Sequence, residues 1–184
     1  MIGLFLRKTI LFFPVILMLS GCAALPVREN AAAPPVTAAS TAGAGFHYSI
    51  AILHALNENM EEAIREMEEA IGLDPASPYL AKELASLYTE KGDAAKAMMI
   101  CQKILEEHPD DIDTRLLLGG LYLNRKDYPG AAAEYRRVIG LDPKKTAARF
   151  YLGTSLAEMK KLDEAVAAFQ ELLKIDPDHF MASY

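Results

Sequence analysis

The chain has 184 residues, with 19 Lys and Arg against 25 Asp and Glu and a net charge of −6. An acidic balance excludes a nucleic-acid footprint, which needs a net-basic face. Only two cysteines occur, which excludes a disulfide-stapled scaffold.

At the N-terminus, Arg7 and Lys8 precede an apolar run from Ile10 to Leu19, followed by Leu19-Ser20-Gly21-Cys22. A basic start, a short apolar core and small residues before a cut site describe a secretory leader. The run is too short to span a bilayer, which takes roughly 20 apolar residues. The Leu-Ser-Gly-Cys ending resembles the lipobox of bacterial lipoproteins. That resemblance implies removal of residues 1–21 and acylation of Cys22, with palmitate-like chains worth about 0.8 kcal/mol per buried methylene. Ala23, where an aspartate would retain such proteins, implies the outer membrane, facing the periplasm.

Residues 23–43 are mostly Ala, Pro, Thr, Ser and Gly. Such a stretch cannot bury enough apolar surface to fold. With Cys22 it is expected to form a flexible tether over 22–43, reaching about 25 Å as a random coil.

From there the chain repeats. Pro75, Pro109, Pro143 and Pro177 stand 34 residues apart, which divides the sequence into units 44–77, 78–111, 112–145 and 146–179. A small residue recurs at Ala51, Ala85, Gly119 and Gly153, and alanine recurs at Ala63, Ala97, Ala131 and Ala165. Bulkier groups follow at Met67, Cys101, Tyr135 and Phe169, then Ala70, Ile104, Val138 and Leu172. A period of this length marks one small helical unit stacked on copies of itself, because one unit alone cannot bury its apolar face.

The pattern resembles the tetratricopeptide repeat, a helix–turn–helix of 34 residues. Its leucine–glycine places read Ile50-Ala51, Leu84-Ala85, Leu118-Gly119 and Leu152-Gly153, and its tyrosine place reads His54, Tyr88, Tyr122 and Leu156. The usual tryptophan is replaced by His47, Ala81, Arg115 and Arg149. The expected fold is all-α: eight helices in a right-handed superhelix, without a sheet. Lys91-Gly92-Asp93 and Arg125-Lys126-Asp127 supply turns within units, and Ser77-Pro78 suits a helix start. Gly72 and Gly140 suit left-handed C-terminal caps. Phe180–Tyr184 reads as the start of a fifth inner helix that stops short; the expectation is a fragment of a longer chain, the alternative a last unit capped by a partner or by dimerisation.

Charge is uneven along the units, at −6, −3, +3 and −2. These side chains are expected on solvated outer faces. Cys101 stands at the repeat's phenylalanine place and reads as a buried small hydrophobe. His47 and His54 are about 10.5 Å apart along a helix, too far to share a metal, and occupy packing positions. His108 and His179 lack the cysteine or carboxylate set of a metal site. No cofactor and no catalytic residue is expected.

The resemblance places a groove along the first helix of each unit, where extended peptides or partner helices dock. Its positions here are Tyr48, Ser49 and Ile52, then Tyr79, Lys82, Glu83 and Ser86. Units three and four contribute Leu116, Leu117, Gly120 and Asn124, and Phe150, Tyr151, Thr154 and Glu158. The clamp that holds a C-terminal carboxylate in chaperone-binding members is absent, because its places read Tyr48, Ile52, Glu83, Asp113 and Leu117. The expected function is a lipid-anchored scaffold or adaptor that binds protein partners in assembly of an envelope complex, with self-association left open. Pilus secretin, outer-membrane protein, polysaccharide-export and cell-wall machinery all fit. The alternatives are the anchoring part of a longer envelope enzyme and a glycan- or peptidoglycan-binding module.

Overall fold

The computed structural model describes residues 38–178. The leader, Cys22, the tether up to residue 37, and residues 179–184 lie outside the described residues. Eight helices follow in order: α1 (Ala38–Leu56), α2 (Met60–Leu73), α3 (Pro78–Glu90), α4 (Ala94–Glu107), α5 (Ile112–Asn124), α6 (Tyr128–Leu141), α7 (Thr146–Glu158) and α8 (Leu162–Ile175). No strand occurs among the described residues. Each unit is one helical hairpin, and each helix packs on its neighbours in sequence, forming a helical-repeat superhelix.

Local chemistry sets the boundaries. Ser77, Asp93, Asp111 and Asp127 cap α3, α4, α5 and α6, accepting from the backbone N–H of Leu80, Lys96, Thr114 and Gly130. Each satisfies one orphan donor of a first turn. The turn inside every unit passes through one residue of positive φ: Glu58, Gly92, Lys126 and Lys160, again 34 apart. Helix α1 starts at Ala38, so residues 38–43 of the stretch expected to be a tether are helical.

The expected glycine caps are not found. Gly72 and Gly140 lie inside α2 and α6, and the helices end at Asp74 and Asp142, with φ of −135° and −132°. Proline follows each aspartate, and its ring drives the preceding residue out of the helical region. The proline therefore ends the helix, and a left-handed glycine has no role there.

Two apolar clusters run through the stack. One spans units one and two and reaches Leu118 and Leu121 of α5; the other spans units three and four. Helix α5 joins them, with Leu117 packed against the first and Leu116 against the second. Met67, Cys101 and Tyr135 are fully or almost fully buried. Burial drives the Cys101 thiol up to about 12, which keeps it protonated and unreactive.

Candidate functional site

The groove positions lie on the first helix of each unit, and the structure orders most of them from within. At the border of units one and two, the Tyr48 and Tyr79 hydroxyls are 2.6 Å apart, with ring centroids 5.5 Å apart. The hydrogen bond to Tyr79, followed by burial and the nearby Glu83 carboxylate, pushes the Tyr48 phenol up to about 12. Tyr48 and Ile52 rest against the first cluster, while Tyr79 remains 49% exposed.

Lys82 is not a free cation. Its ammonium donates to Asp111 at 3.1 Å and lies 3.9 Å from Asp113. Desolvation works against the Asp111 carboxylate, but the Thr114 N–H and Lys82 outweigh it and hold the group below its ordinary value. Lys82 is thus neutralised by its own chain, with Asp113 and Glu83 leaving acidic groups nearby, and Asp111 is the residue sequence reading missed. It stands 29 residues from Lys82, as the cap of the next unit's helix, so no local pattern links the two.

Leu116 and Leu117 are half-buried and continue the surface as aliphatic groups; Asn124 is exposed at the end of α5. In unit four, Phe150 and Tyr151 meet edge to face at 5.3 Å, and Tyr151 stacks on Tyr135 from α6 at 5.5 Å and 24°. Tyr151 is 41% exposed and has a packed ring behind it. Ser49, Ser86 and Thr154 spend their hydroxyls on backbone carbonyls one turn back, Gly45, Lys82 and Phe150. They offer a partner methylenes and lone pairs rather than free donors.

The surface thus carries two aromatic patches, Tyr48 with Tyr79 and Phe150 with Tyr151, with leucines between them in sequence and an internally neutralised Lys82. Rigid aromatic anchors backed by packed side chains are what a protein-binding surface needs. Among the described residues, no group of three or more His, Cys, Asp or Glu could hold a metal ion.

Three of the four places of the missing tryptophan carry polar contacts instead, Ala81 being the exception. His47 Nδ1 lies 2.7 Å from Glu66 Oε2, and Arg115 donates to Glu134 at 2.6 Å and to the Pro109 carbonyl. Arg149 reaches the Pro143 carbonyl at 2.7 Å.

Comparison with known proteins agrees with this architecture. Tetratricopeptide repeat profiles match residues 115–180 in one form, and 54–119 and 89–134 in another. Protein O-mannosyl-transferase TMTC3 of Homo sapiens is 27% identical over 135 residues, 73% of this chain and 15% of that protein. Superkiller protein 3 of Schizosaccharomyces pombe is 25% identical over 133 residues, 68% of this chain and 10% of that protein. The chain therefore spans less than a sixth of these relatives. Among solved structures, MamA from Desulfovibrio magneticus RS-1 superposes with a TM-score of 0.70 at 21% identity, covering 76% of this chain and 79% of that one. YrrB, described as a repeat protein with an unusual peptide-binding site, gives 0.66 at 21% identity, covering 79% and 74%. Stacked repeats of this kind are protein-interaction scaffolds, with an extended face for a partner. With hairpin, period and profile in agreement over residues 54–180, the chain belongs to the tetratricopeptide repeat family.

Proposed function

We propose that this protein is a lipid-anchored adaptor of the bacterial cell envelope, held through Cys22 and binding a protein partner in its groove during assembly of an envelope complex. The observation that carries the reading is the pair of aromatic patches, each fixed from behind by other side chains and each still exposed at Tyr79 and Tyr151. Preordered rings lose little side-chain entropy when a partner covers them. Arg7-Lys8, the Ile10–Leu19 run and Leu19-Ser20-Gly21-Cys22 support the anchor, and Ala23 supports the outer-membrane location. The adaptor performs no chemistry of its own.

A photoreactive residue at Tyr151 tests the groove in cells. One dominant envelope protein should be captured, and its recovery should be lost when Tyr79, Leu117 and Tyr151 are changed to charged residues. Binding untouched by those changes would sink the groove reading. Cys22→Ser tests the anchor separately: it should move the protein from the membrane to the soluble fraction.

A second reading makes these repeats the interaction part of a longer enzyme. It is favoured by one observation, that the chain matches only 15% of a protein O-mannosyl-transferase. Reading the open reading frame past Tyr184 separates the two: a catalytic domain there establishes this reading, and a stop codon removes it.

A further inference from the structure

The two ends of the stack expose apolar positions that the other units cover. The third residue of units two to four is Leu80, Thr114 or Ala148, and the tenth is Leu87, Leu121 or Ser155. All six are 6% exposed or less. They lie on α3, α5 and α7, which pack on the outer helix of the unit before them, α2, α4 and α6. In unit one the same places hold Phe46 and Leu53, 62% and 58% exposed, with half-buried Ile50 between them. No unit precedes α1 among the described residues.

The far end has the matching feature. Val166 on α8 is 53% exposed, whereas Ile64 and Ala132 at its place are buried and Met98 is half-buried. Phe169 is half-buried, whereas Met67, Cys101 and Tyr135 are at most 1% exposed. Leu162, exposed one turn earlier, extends the stripe at the spacing of a single helix face. One chain thus carries both halves of a unit-to-unit junction: α8 the outer-helix half, α1 the inner-helix half.

We propose that a second copy of this chain covers these faces, with α1 of one molecule packed on α8 of the next. The two faces suit each other because the same junction already forms between successive units inside the chain. Stacked repeats need polar outer faces at their ends to stay apart in water, and both ends here carry large apolar groups. Helix α1 contains no Lys, Arg, Asp or Glu, so no charge on that helix opposes the contact. Residues 23–37 carry only Leu25, Val27 and Val36 as larger apolar groups, among three prolines, so their sequence offers no such stripe. An α1 face meeting an α8 face is a heterologous contact, which builds head-to-tail chains rather than two-fold pairs. Only two helices meet at each junction, so the association is weak and reversible. At about 100° per residue, Phe46, Ile50 and Leu53 lie roughly a third of a turn from Tyr48, Ser49 and Ile52, which leaves the groove open.

The test is made in cells producing the full chain as two differently tagged copies, treated with a membrane-permeant bismaleimide. Leu53→Cys in one copy and Val166→Cys in the other should give a mixed dimer, and both changes in one chain should give a ladder. Either change alone should give no more product than Met99→Cys, an exposed position on α4 away from both ends. Phe46→Glu in the Leu53→Cys copy would bury an unpaired carboxylate and should lower the mixed dimer about tenfold or more. A mixed dimer no stronger than the Met99→Cys background would overturn the proposal; cover of α8 by another protein or by residues after Asp178 gives that result. Equal product from Leu53→Cys alone, or a mixed dimer untouched by Phe46→Glu, would overturn it as well. The crosslink from Tyr151 reads the groove independently, so failure here leaves that reading standing.

Discussion

Gly119 lies directly beneath the ring of Tyr135: a Cβ at that glycine would stand 2.8 Å from two ring carbons. Gly153 has the same relation to Phe169, at 2.5 Å. Where the first helix carries alanine instead, at Ala51 and Ala85, the second carries the slimmer Met67 and Cys101. All of these alanines, Met67 and Cys101 are fully buried. In units one, three and four the combined volume of the two positions is therefore kept nearly constant, as a close-packed interior requires, while Ala85 with Cys101 is a smaller pair.

Gly119→Ala should consequently destabilise the protein by about 1–3 kcal/mol, the usual cost of overpacking. Its neighbour provides the control. A Cβ at Gly120 meets nothing within 4 Å, so Gly120→Ala should stabilise by about 1 kcal/mol through helix propensity alone. Urea unfolding of the two variants should move in opposite directions. Adding Tyr135→Met to Gly119→Ala copies unit one and should recover part of the loss; equal effects of the two alanines would refute the packing account.

The Arg115–Glu134 pair makes the opposite kind of demand. The two side chains are 8% and 15% exposed, so each charge depends on the other. Removing one partner from such a pair leaves an uncompensated charge, at about 3–5 kcal/mol, whereas replacing both by apolar groups is often close to neutral. Unit two already holds the apolar version as Ala81 and Ile100. Glu134→Ile alone should therefore lower stability by about 3 kcal/mol, and Arg115→Ala with Glu134→Ile by much less. Thermal unfolding of the single and double variants measures the coupling, and additive losses would contradict it.

How much of this was legible from residues alone varied with distance along the chain. The 34-residue period located all four hairpins, because each apolar face repeats within a single unit. Gly72 and Gly140 misled because glycine suits a C-terminal cap, yet Asp-Pro two residues later already stops the helix at the aspartate. The resemblance assigns the groove residues to the first helix of each unit, but it does not give their chemistry. Lys82 looks like a free cation until the cap of the next unit, Asp111, is brought to 3.1 Å. Likewise Tyr151 gains its support from Tyr135, in the unit before it. Contacts between units depend on superhelical geometry, which no pattern within one unit encodes.

The turns inside the units show a local compromise that can be relieved. Lys126 has φ of 60° and Lys160 of 62°, in the left-handed region, where Gly92 sits at 85° without penalty. A side chain there costs roughly 1–2 kcal/mol, partly offset because glycine loses more freedom on folding. Lys126→Gly should raise stability by about 0.5–1 kcal/mol, with Gly92→Ala lowering it by a similar amount. Denaturant midpoints decide the matter; a destabilised Lys126→Gly would show that the lysine side chain itself matters in the turn.

The Lys82–Asp111 contact makes stability depend on acid in a defined direction. The carboxyl is held below its ordinary value by Lys82 and the Thr114 N–H, against the effect of burial. A group of that kind binds its proton more weakly in the folded chain, so its contribution is full above the ordinary aspartate value of about 3.9 and disappears as pH falls through the folded value. Asp111→Asn retains an oxygen able to cap α5 but removes the charge. At neutral pH the variant should be less stable by about 1 kcal/mol, the scale of a partly exposed pair. Below about pH 4 the two proteins should converge, since protonation removes from the native residue what the substitution removes permanently. Lys82→Met should show the same convergence from the other side of the pair. Stability curves for wild type and variants that run parallel from pH 7 to pH 3 would mean that the cap, rather than the ion pair, is what Asp111 contributes.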